Sequence, residues 1–330
     1  MKRPRVIVTG GMGFIGSAVV KKLLNLNFKV INIDKLSYAA NLERVNEFKY
    51  FKKHYFYKTD ITNLKKLSLI FSKHKPSYVF NLAAESHVDN SINNPKSFID
   101  TNIIGTYNLL LETKKLHQKK HKIKFIQIST DEVYGDLNKK NQGSKEGDAY
   151  LPSSPYSASK ASADHLVRSW SRTYGIKYNI TCSSNNFGPF QNEEKFIPVV
   201  IKNIISNKKI PIYGNGLQKR NWIYVKDNAD AIIRVALKGK NNSTFNIGTK
   251  NDFTNLSLVK MIIKILEKNF HNFKNINKLI NFVKDRPGHD VKYKVNYFKI
   301  QNELKWKPHS NFEKSIKDTI EWYLEKYNDN

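Results

Sequence analysis

Only one cysteine, Cys182, stands among the 330 residues. A disulfide needs two thiols and a Cys-based zinc site needs several, so both are excluded, and Cys182 reads as a small buried hydrophobe. No His, Cys or acid cluster has metal-ligand spacing, so no metal is expected. Long apolar runs are missing too: apolar residues make up 40%, and none of their runs approaches the about 20 residues that cross a bilayer. The N-terminal MKRPRVIVTGG passes from a basic tip straight into a strand pattern, without the apolar segment of a signal peptide. A soluble, cytoplasmic protein with no membrane partner is expected.

Acidic residues are scarce. Asp and Glu number 28 against 56 Lys and Arg, a formal charge of +28. Such an excess alone points to nucleic acid. The lysines, however, are dispersed over exposed helix positions and loop ends (KKLLNLNFK, KKLHQKKHKIK, IKNIISNKK), with no arginine-rich arm and no basic stripe interleaved with aromatics. Nucleic acid is therefore not expected as a partner, whereas an anionic small substrate benefits from a positive field.

The length exceeds that of a usual single core, so two lobes are expected. Short apolar runs alternate with helical patterns through the first half: RVIVTG, KVINID, YFYKTDI, YVFNLAA, KFIQIST and YNITCSSNN, with helices from Ser17 to Asn25, about Pro95 to Lys119 and Tyr156 to Tyr174. That alternation is the mark of a doubly wound parallel α/β sheet. Beyond Asn185 the pattern breaks up and ends in a helix near Phe312 to Lys326. The expected division is a dinucleotide-binding domain over 1–184 plus about 221–250, and a smaller lobe over 185–220 and 251–330.

VTGGMGFIGSAVV sets glycines at the turn from the first strand into the first helix. Gly11, Gly13 and Gly16 satisfy G-x-G-x-x-G, and Gly10, Gly13 and Gly16 satisfy G-x-x-G-x-x-G equally well. Glycine lets backbone approach a pyrophosphate, which the helix N-terminus then attracts. Asp34 closes the second strand some twenty residues on, where a carboxylate accepts from ribose hydroxyls and favours NAD over NADP. Its neighbour Lys35 argues the other way. Asp60, before Ile61, suits either an adenine contact or a helix N-cap.

Tyr156 and Lys160 are four apart, on one helix face, behind a Ser154 cap and Pro155. A phenol of pKa ~10 is a poor base unless a cation favours its ionised form, and Lys160 is placed to be that cation. STDEVYG adds adjacent carboxylates, Asp131 and Glu132, at the end of a strand. Side by side they repel each other and stabilise no core.

The glycine turn with Tyr156-x-x-x-Lys160 resembles the extended short-chain dehydrogenase/reductase superfamily. Within it the chain is similar to the dTDP-glucose 4,6-dehydratases through GGMGFIGSAVV, DKLSYAAN, NLAAESHVDNSI, STDEVYG, PYSASKASADHLV, SSNNFGPFQNEEKFIP and DRPGHDVKY, nearly the whole chain in the family's order. The resemblance implies a Rossmann-type sheet with a smaller α/β substrate-binding lobe, a retained NAD, and a nucleoside-diphosphate glucose as substrate. It implies that Tyr156 deprotonates the 4-hydroxyl with Thr130 bound to that hydroxyl, that Asp131 protonates the departing 6-hydroxyl, and that Glu132 takes the proton from carbon 5. For like charges in one dry cleft, the pKa values are expected to split.

By the same resemblance Gly10, Gly13, Phe14, Ile15, Gly16, Asp34, Lys35, Leu36, Ser37, Asp60, Ile61, Leu82, Ala83, Ala84, Ser86, Thr101, Tyr156, Lys160 and Asn186 hold the cofactor. Ser86, Thr130, Asn185, Lys195, Phe196, Ile197, Pro198, Pro211, Ile212, Tyr213, Arg220, Asn255, Arg286 and His289 hold the substrate. A homodimer built from two helices per subunit, and a place in deoxysugar biosynthesis, are implied as well. Phe187 and Phe190 stand where the family pattern has Tyr, Ala40 where it has Gly, and Asn215 and Asn221 where it has Asp. An amide at 221 should orient Arg220 less firmly than a carboxylate would. These departures leave the nucleotide open among dTDP, UDP and CDP. The rival readings are a 4-epimerase or decarboxylase of the same superfamily, and an NAD-binding protein without catalysis.

Overall fold

The computed structural model describes residues 4–137, 142–270, 272–285 and 290–328. Its strands are β1 (Arg5–Thr9), β2 (Lys29–Asp34), β3 (His54–Lys58), β4 (Tyr78–Asn81), β5 (Lys124–Thr130), β6 (Lys177–Ser183), β7 (Asn185–Phe187), β8 (Ile210–Tyr213), β9 (Lys219–Tyr224), β10 (Ser243–Ile247), β11 (Asp252–Thr254) and β12 (Ile280–Val283). Seven of them form one sheet in the order β10-β6-β5-β4-β1-β2-β3. All six pairings in it are parallel.

The apolar runs are continuous because helices cover both faces of this sheet. In β1, Val6 and Val8 point into one core with the Phe14–Asn25 and Val225–Lys238 helices. Ile7 points into the other, with Leu67, Leu109 and Val167 from the helices Leu64–His74, Thr106–Gln118 and Pro155–Tyr174. Cys182 is buried in that second core. Sheet order reverses between β1 and β4, and ligands of doubly wound sheets bind at the strand ends beside such a switch.

A third core, with Phe187, Trp222, Leu258, Ile320 and Tyr323, organises the C-terminal lobe around the sheets β11-β9-β7 and β12-β8. The Phe298–Leu304 helix and Trp306 return to the first core instead. Trp306 Nε1 donates to Asp230 at 2.9 Å there. No helix among the described residues is long and apolar enough to cross a membrane.

The helix expected over Pro95 to Lys119 is interrupted. Pro95–Phe98 is α-helical, Ile99–Gly105 is a π-helix, and Thr106–Gln118 is α-helical again. A π-turn inserts a residue and re-aims the side chains beyond it. Here it brings Thr101 to a cavity wall and lets Asn102 bond the backbone of Glu85.

Candidate active site

Gly10, Gly13, Asp34, Lys35, Ser37, Asp60, Ile61, Leu82, Ala83, Ala84 and Thr101 line one cavity at the C-terminal ends of β1, β2, β3 and β4. The two overlapping glycine spacings separate here. Gly10 has φ +65°, and a Cβ on it would lie 2.7 Å from Ala83. Gly16 lies against Gly10, whose carbonyl oxygen is 2.0 Å from the Cβ position. Gly11 packs on the Asn32 side chain, away from the turn's ligand face. Gly13 is different. Nothing within the protein comes closer than 3.3 Å to its missing Cβ, yet it borders the cavity and caps the Phe14–Asn25 helix. Its smallness leaves a cradle for a ligand at the helix start, where the Phe14, Ile15 and Gly16 amides begin the helix.

Both oxygens of Asp34 accept from backbone, from Met12 N at 2.9 Å and Leu36 N at 2.8 Å. Burial nevertheless pushes this carboxyl above its ordinary value. Leu36 is held at φ +56°, a strained conformation for leucine that keeps its amide on Asp34. Lys35 does not offer a free cation to a 2′-phosphate. Its ammonium bonds Glu85 at 2.8 Å and stands 3.9 Å from Asp60. Asp60 lines the cavity while bonding Thr62. Asn63, not Asp60, caps the following helix.

STDEVYG is a strand end, a 3₁₀ turn over Asp131–Tyr134 and a left-handed stop at Gly135. A Cβ on Gly135 would lie 2.1 Å from the Leu151 carbonyl oxygen. The turn sends Val133 and Tyr134 into the core, and Tyr134 bonds Asn246 at 2.9 Å. Asp131 is buried and Glu132 half-buried. Thr130 caps the turn, accepting from Glu132 N and donating to Asp131, both at 3.3 Å. Asp131 Oδ2 has no hydrogen-bond partner. Burial first, then the Glu132 charge, pushes Asp131 up to about 8, with Arg220 opposing the rise. The carboxyl is therefore protonated at neutral pH, with one buried oxygen available to a ligand.

Tyr156 follows the Ser154 cap, where Ser154 and Ser157 form a reciprocal capping box. Its phenol stands above its ordinary value, raised by burial and then by the Glu132 charge, against a hydrogen bond with Thr130. The expected depression by Lys160 is absent from this structure. Lys160 Nζ donates to the Ile128 carbonyl at 2.5 Å and faces Asp164. Burial lowers the ammonium's own pKa.

On the substrate side Lys195 donates to the Ser86 carbonyl at 2.8 Å, bringing two expected residues together across the cleft. Asn186 bonds Ser184 and Asn228 beside Asn185 on β7. Arg220 stacks on Tyr293 at 4.4 Å and donates to the carbonyls of Lys219, Asp290 and Val291. Phe196 stacks against Trp222, and Pro198 is buried beside it. Ile197 and Ile212 were expected at the ligand, but their side chains are wholly within the third core. Alternation along β8 leaves Pro211 and Tyr213 on the other face from Ile212. Asn255 is the first residue of its helix, and Thr254 is the cap. Arg286 and His289 lie outside the described residues.

Several groups in the cleft escaped the reading of the sequence. Tyr293 donates to Asp290, which also accepts from Ser153, and its phenol is raised by burial and by the Glu132 charge. Both residues lie within DRPGHDVKY, where no spacing or composition sets them apart from their neighbours. Glu85, which neutralises Lys35, and Asn102, which fixes the Glu85 backbone, have no signal beyond their neighbours' motif.

The sequence matches the model of the GDP-mannose 4,6 dehydratase family over residues 7–319. It is 46% identical over 338 residues to a dTDP-glucose 4,6-dehydratase of Escherichia coli, covering 97% of this chain and 93% of that relative. The chain belongs to this 4,6-dehydratase family. A dTDP-glucose 4,6-dehydratase of Bacillus anthracis, solved in complex with NAD, superposes with a TM-score of 0.87 at 39% identity over 98% of both chains. A UDP-glucose 4-epimerase of Thermotoga maritima, solved with UDP-glucose, has the same TM-score of 0.87 at 31% identity, covering 98% of this chain and 99% of that one. Shape alone thus does not separate dehydratase from epimerase.

The departures from the dehydratase pattern fall mostly in packing positions. Phe187 is buried against Tyr224 and Phe312, and Phe190 contacts Trp322 and the Arg44 guanidinium. Asn215 accepts from Leu217 N in a turn. Asn221 was expected to orient Arg220. As the next residue on β9 it points the other way, donating to the Thr249 carbonyl and to Asp252, each at 2.7 Å. Its amide therefore has no bearing on how Arg220 is held.

Proposed function

We propose that this protein is an NAD-dependent hydro-lyase that converts dTDP-glucose to its 4-keto-6-deoxy product. The observation that carries the reading is the pair Asp131 and Glu132 beside Tyr156, with Asp131 protonated at neutral pH and its Oδ2 unpartnered. An epimerase or a plain dehydrogenase has no step that needs both an acid and a base at these positions.

The cradle at Gly13, the carboxylate of Asp34 and the helix start fit a dinucleotide, whose ribose would meet Asp34 and whose pyrophosphate would meet the Phe14, Ile15 and Gly16 amides. With Lys35 bound to Glu85 and Asp34 negative, NAD suits the cavity better than NADP. Bound NAD supplies a hydride acceptor at carbon 4 and a hydride donor at carbon 6. Tyr156 takes the proton of the 4-hydroxyl, which Thr130 orients. Glu132 takes the proton from carbon 5, acidified by the new ketone, and gives it back to carbon 5 when carbon 6 is reduced. Asp131 gives its proton to the hydroxide leaving carbon 6, so one water is lost overall. A positive cation bound near Tyr156 would lower the phenol into a working range. Arg220, Lys195 and Asn185 would meet the diphosphate and sugar.

Incubation with dTDP-glucose, UDP-glucose and CDP-glucose, followed by mass spectrometry, tests this reading. A product lighter by one water from dTDP-glucose is expected. An isomer of unchanged mass would instead mark an epimerase.

A homodimer that packs the 95–118 helical stretch and the Pro155–Tyr174 helix of each subunit together fits the exposed Ile99, Ile104, Tyr107 and Tyr174 on these elements. A cytoplasmic place and a role in deoxysugar biosynthesis follow from the same reading.

A further inference from the structure

The two residues before Thr130 are both tied to the helix that carries Tyr156. Lys160 Nζ donates to the Ile128 carbonyl at 2.5 Å, and Ser129 Oγ donates to Asp164 Oδ2 at 2.6 Å. Lys160 and Asp164 are one turn apart on the buried face of the Pro155–Tyr174 helix. Asp164 is wholly buried. Its Oδ2 also accepts from the Tyr150 hydroxyl at 3.1 Å, and that hydroxyl accepts from Arg168 at 2.8 Å. Oδ1 has no hydrogen-bond partner. Burial pushes the Asp164 carboxyl above its ordinary value, and the Lys160 and Arg168 cations, one turn to either side, together with the Ser129 and Tyr150 hydroxyls, oppose that rise and favour the ionised form. The chemistry set out above gives Asp164 no part.

We propose that Asp164 is a positioning residue for the dehydratase reaction: its carboxylate keeps Lys160 charged and, with Lys160, pins the Tyr156 helix to the strand that presents Thr130, Asp131 and Glu132. The inference rests on the dehydratase reading for its role and on geometry for its effect. Burial alone works against the Lys160 charge, and Asp164 is the largest influence opposing it. The other groups packed here are the Cys182 thiol from β6, Tyr134 and Tyr150 from the segments after β5, and Arg168 along the helix. None of these carries a fixed negative charge at neutral pH.

The test follows the titration of Lys160 by carbon-13 NMR in protein labelled at lysine, with the Lys160 signal assigned by Lys160→Met. In Asp164→Asn the Lys160 midpoint should fall by about one pH unit, since an opposite charge at this range shifts a pKa by about 1–3. Asp164→Glu should restore most of the shift. A second readout is single-turnover reduction of the cofactor by a dTDP-6-deoxyglucose, which can be oxidised at carbon 4 but has no 6-hydroxyl to lose. Its rate should fall about ten-fold in Asp164→Asn with KM little changed, the sign of an interaction used mainly in the transition state. A folded Asp164→Asn whose Lys160 titration coincides with the parent overturns the proposal. Should Asp164→Asn fail to fold, Ser129→Ala removes one tie and leaves the charge. Slower reduction with an unmoved Lys160 midpoint is then expected, and parental rates overturn the pinning role. Because the NMR readout needs no substrate, failure of the parent protein to dehydrate any nucleotide sugar would refute the dehydratase reading separately.

Discussion

Asn221 donates a 2.7 Å hydrogen bond to the carboxylate of Asp252, which is also paired with Lys294 at 2.6 Å. An aspartate at 221 would set two carboxylates face to face in a buried site with one cation between them. Asn221→Asp should therefore lower stability by about 1–3 kcal/mol, the cost of an unmade buried hydrogen bond plus repulsion. Urea unfolding at pH 7 measures this. KM for the nucleotide sugar should stay within about two-fold, because Arg220 lies on the other face of β9; a large KM change would show that position 221 acts on the substrate after all.

In the proposed reaction Asp131 serves as the acid, which it can do only while it keeps its proton. With its pKa near 8, the dehydration rate should fall as pH rises through about 8. The sign for stability is the same. Between the ordinary carboxyl value of 3.8 and about 8, the folded state holds a proton that the unfolded chain has released, so stability declines with rising pH across that window. Asp131→Asn should abolish dehydration, flatten the decline, and raise the melting temperature at pH 8 by about 2–4 °C, roughly 1 kcal/mol. Melting curves at pH 5 and pH 8 for both proteins decide it.

Glu132→Gln removes the proposed base but keeps the shape. Turnover should drop by about 10³-fold or more while NAD stays bound. The substitution also removes the charge that helps raise Tyr156 and Asp131, so both should titrate lower. Unchanged product formation would take Glu132 out of the reaction.

Two glycines of the same turn should respond differently to a methyl group. At Gly16 the new Cβ would lie 2.0 Å from the Gly10 carbonyl oxygen, and Gly16→Ala should destabilise by about 1–3 kcal/mol. At Gly13, with φ −75°, the nearest atom is the Gly10 carbonyl oxygen at 3.3 Å, which must yield by only a few tenths of an ångström, so Gly13→Ala should cost less than Gly16→Ala, under about 1 kcal/mol. NAD affinity should nevertheless fall about ten-fold or more, because the methyl occupies the cradle. Calorimetry for binding and thermal melts for stability separate the two effects.

The strand and helix runs, the glycine turn, the capped Tyr156 helix and the adjacent carboxylates are local features, written in spacing and in side-chain chemistry that does not depend on distant contacts. For that reason the doubly wound sheet could be read from the chain alone, and Thr130, Asp131, Glu132, Tyr156 and Lys160 stood out as candidates. Direction and partnership are long-range. Asn221 turns away from Arg220 because strands alternate, and Ile197 and Ile212 face a core because the second lobe closes over them. Lys35 is neutralised by Glu85, fifty residues on. Lys160 spends its hydrogen bond on Ile128, and the π-turn at Ile99–Gly105 depends on how that helix meets the cavity wall. Charges in a dry interior act through whichever neighbours the fold supplies, so the upward shifts of Asp131 and Tyr156 depend on tertiary packing.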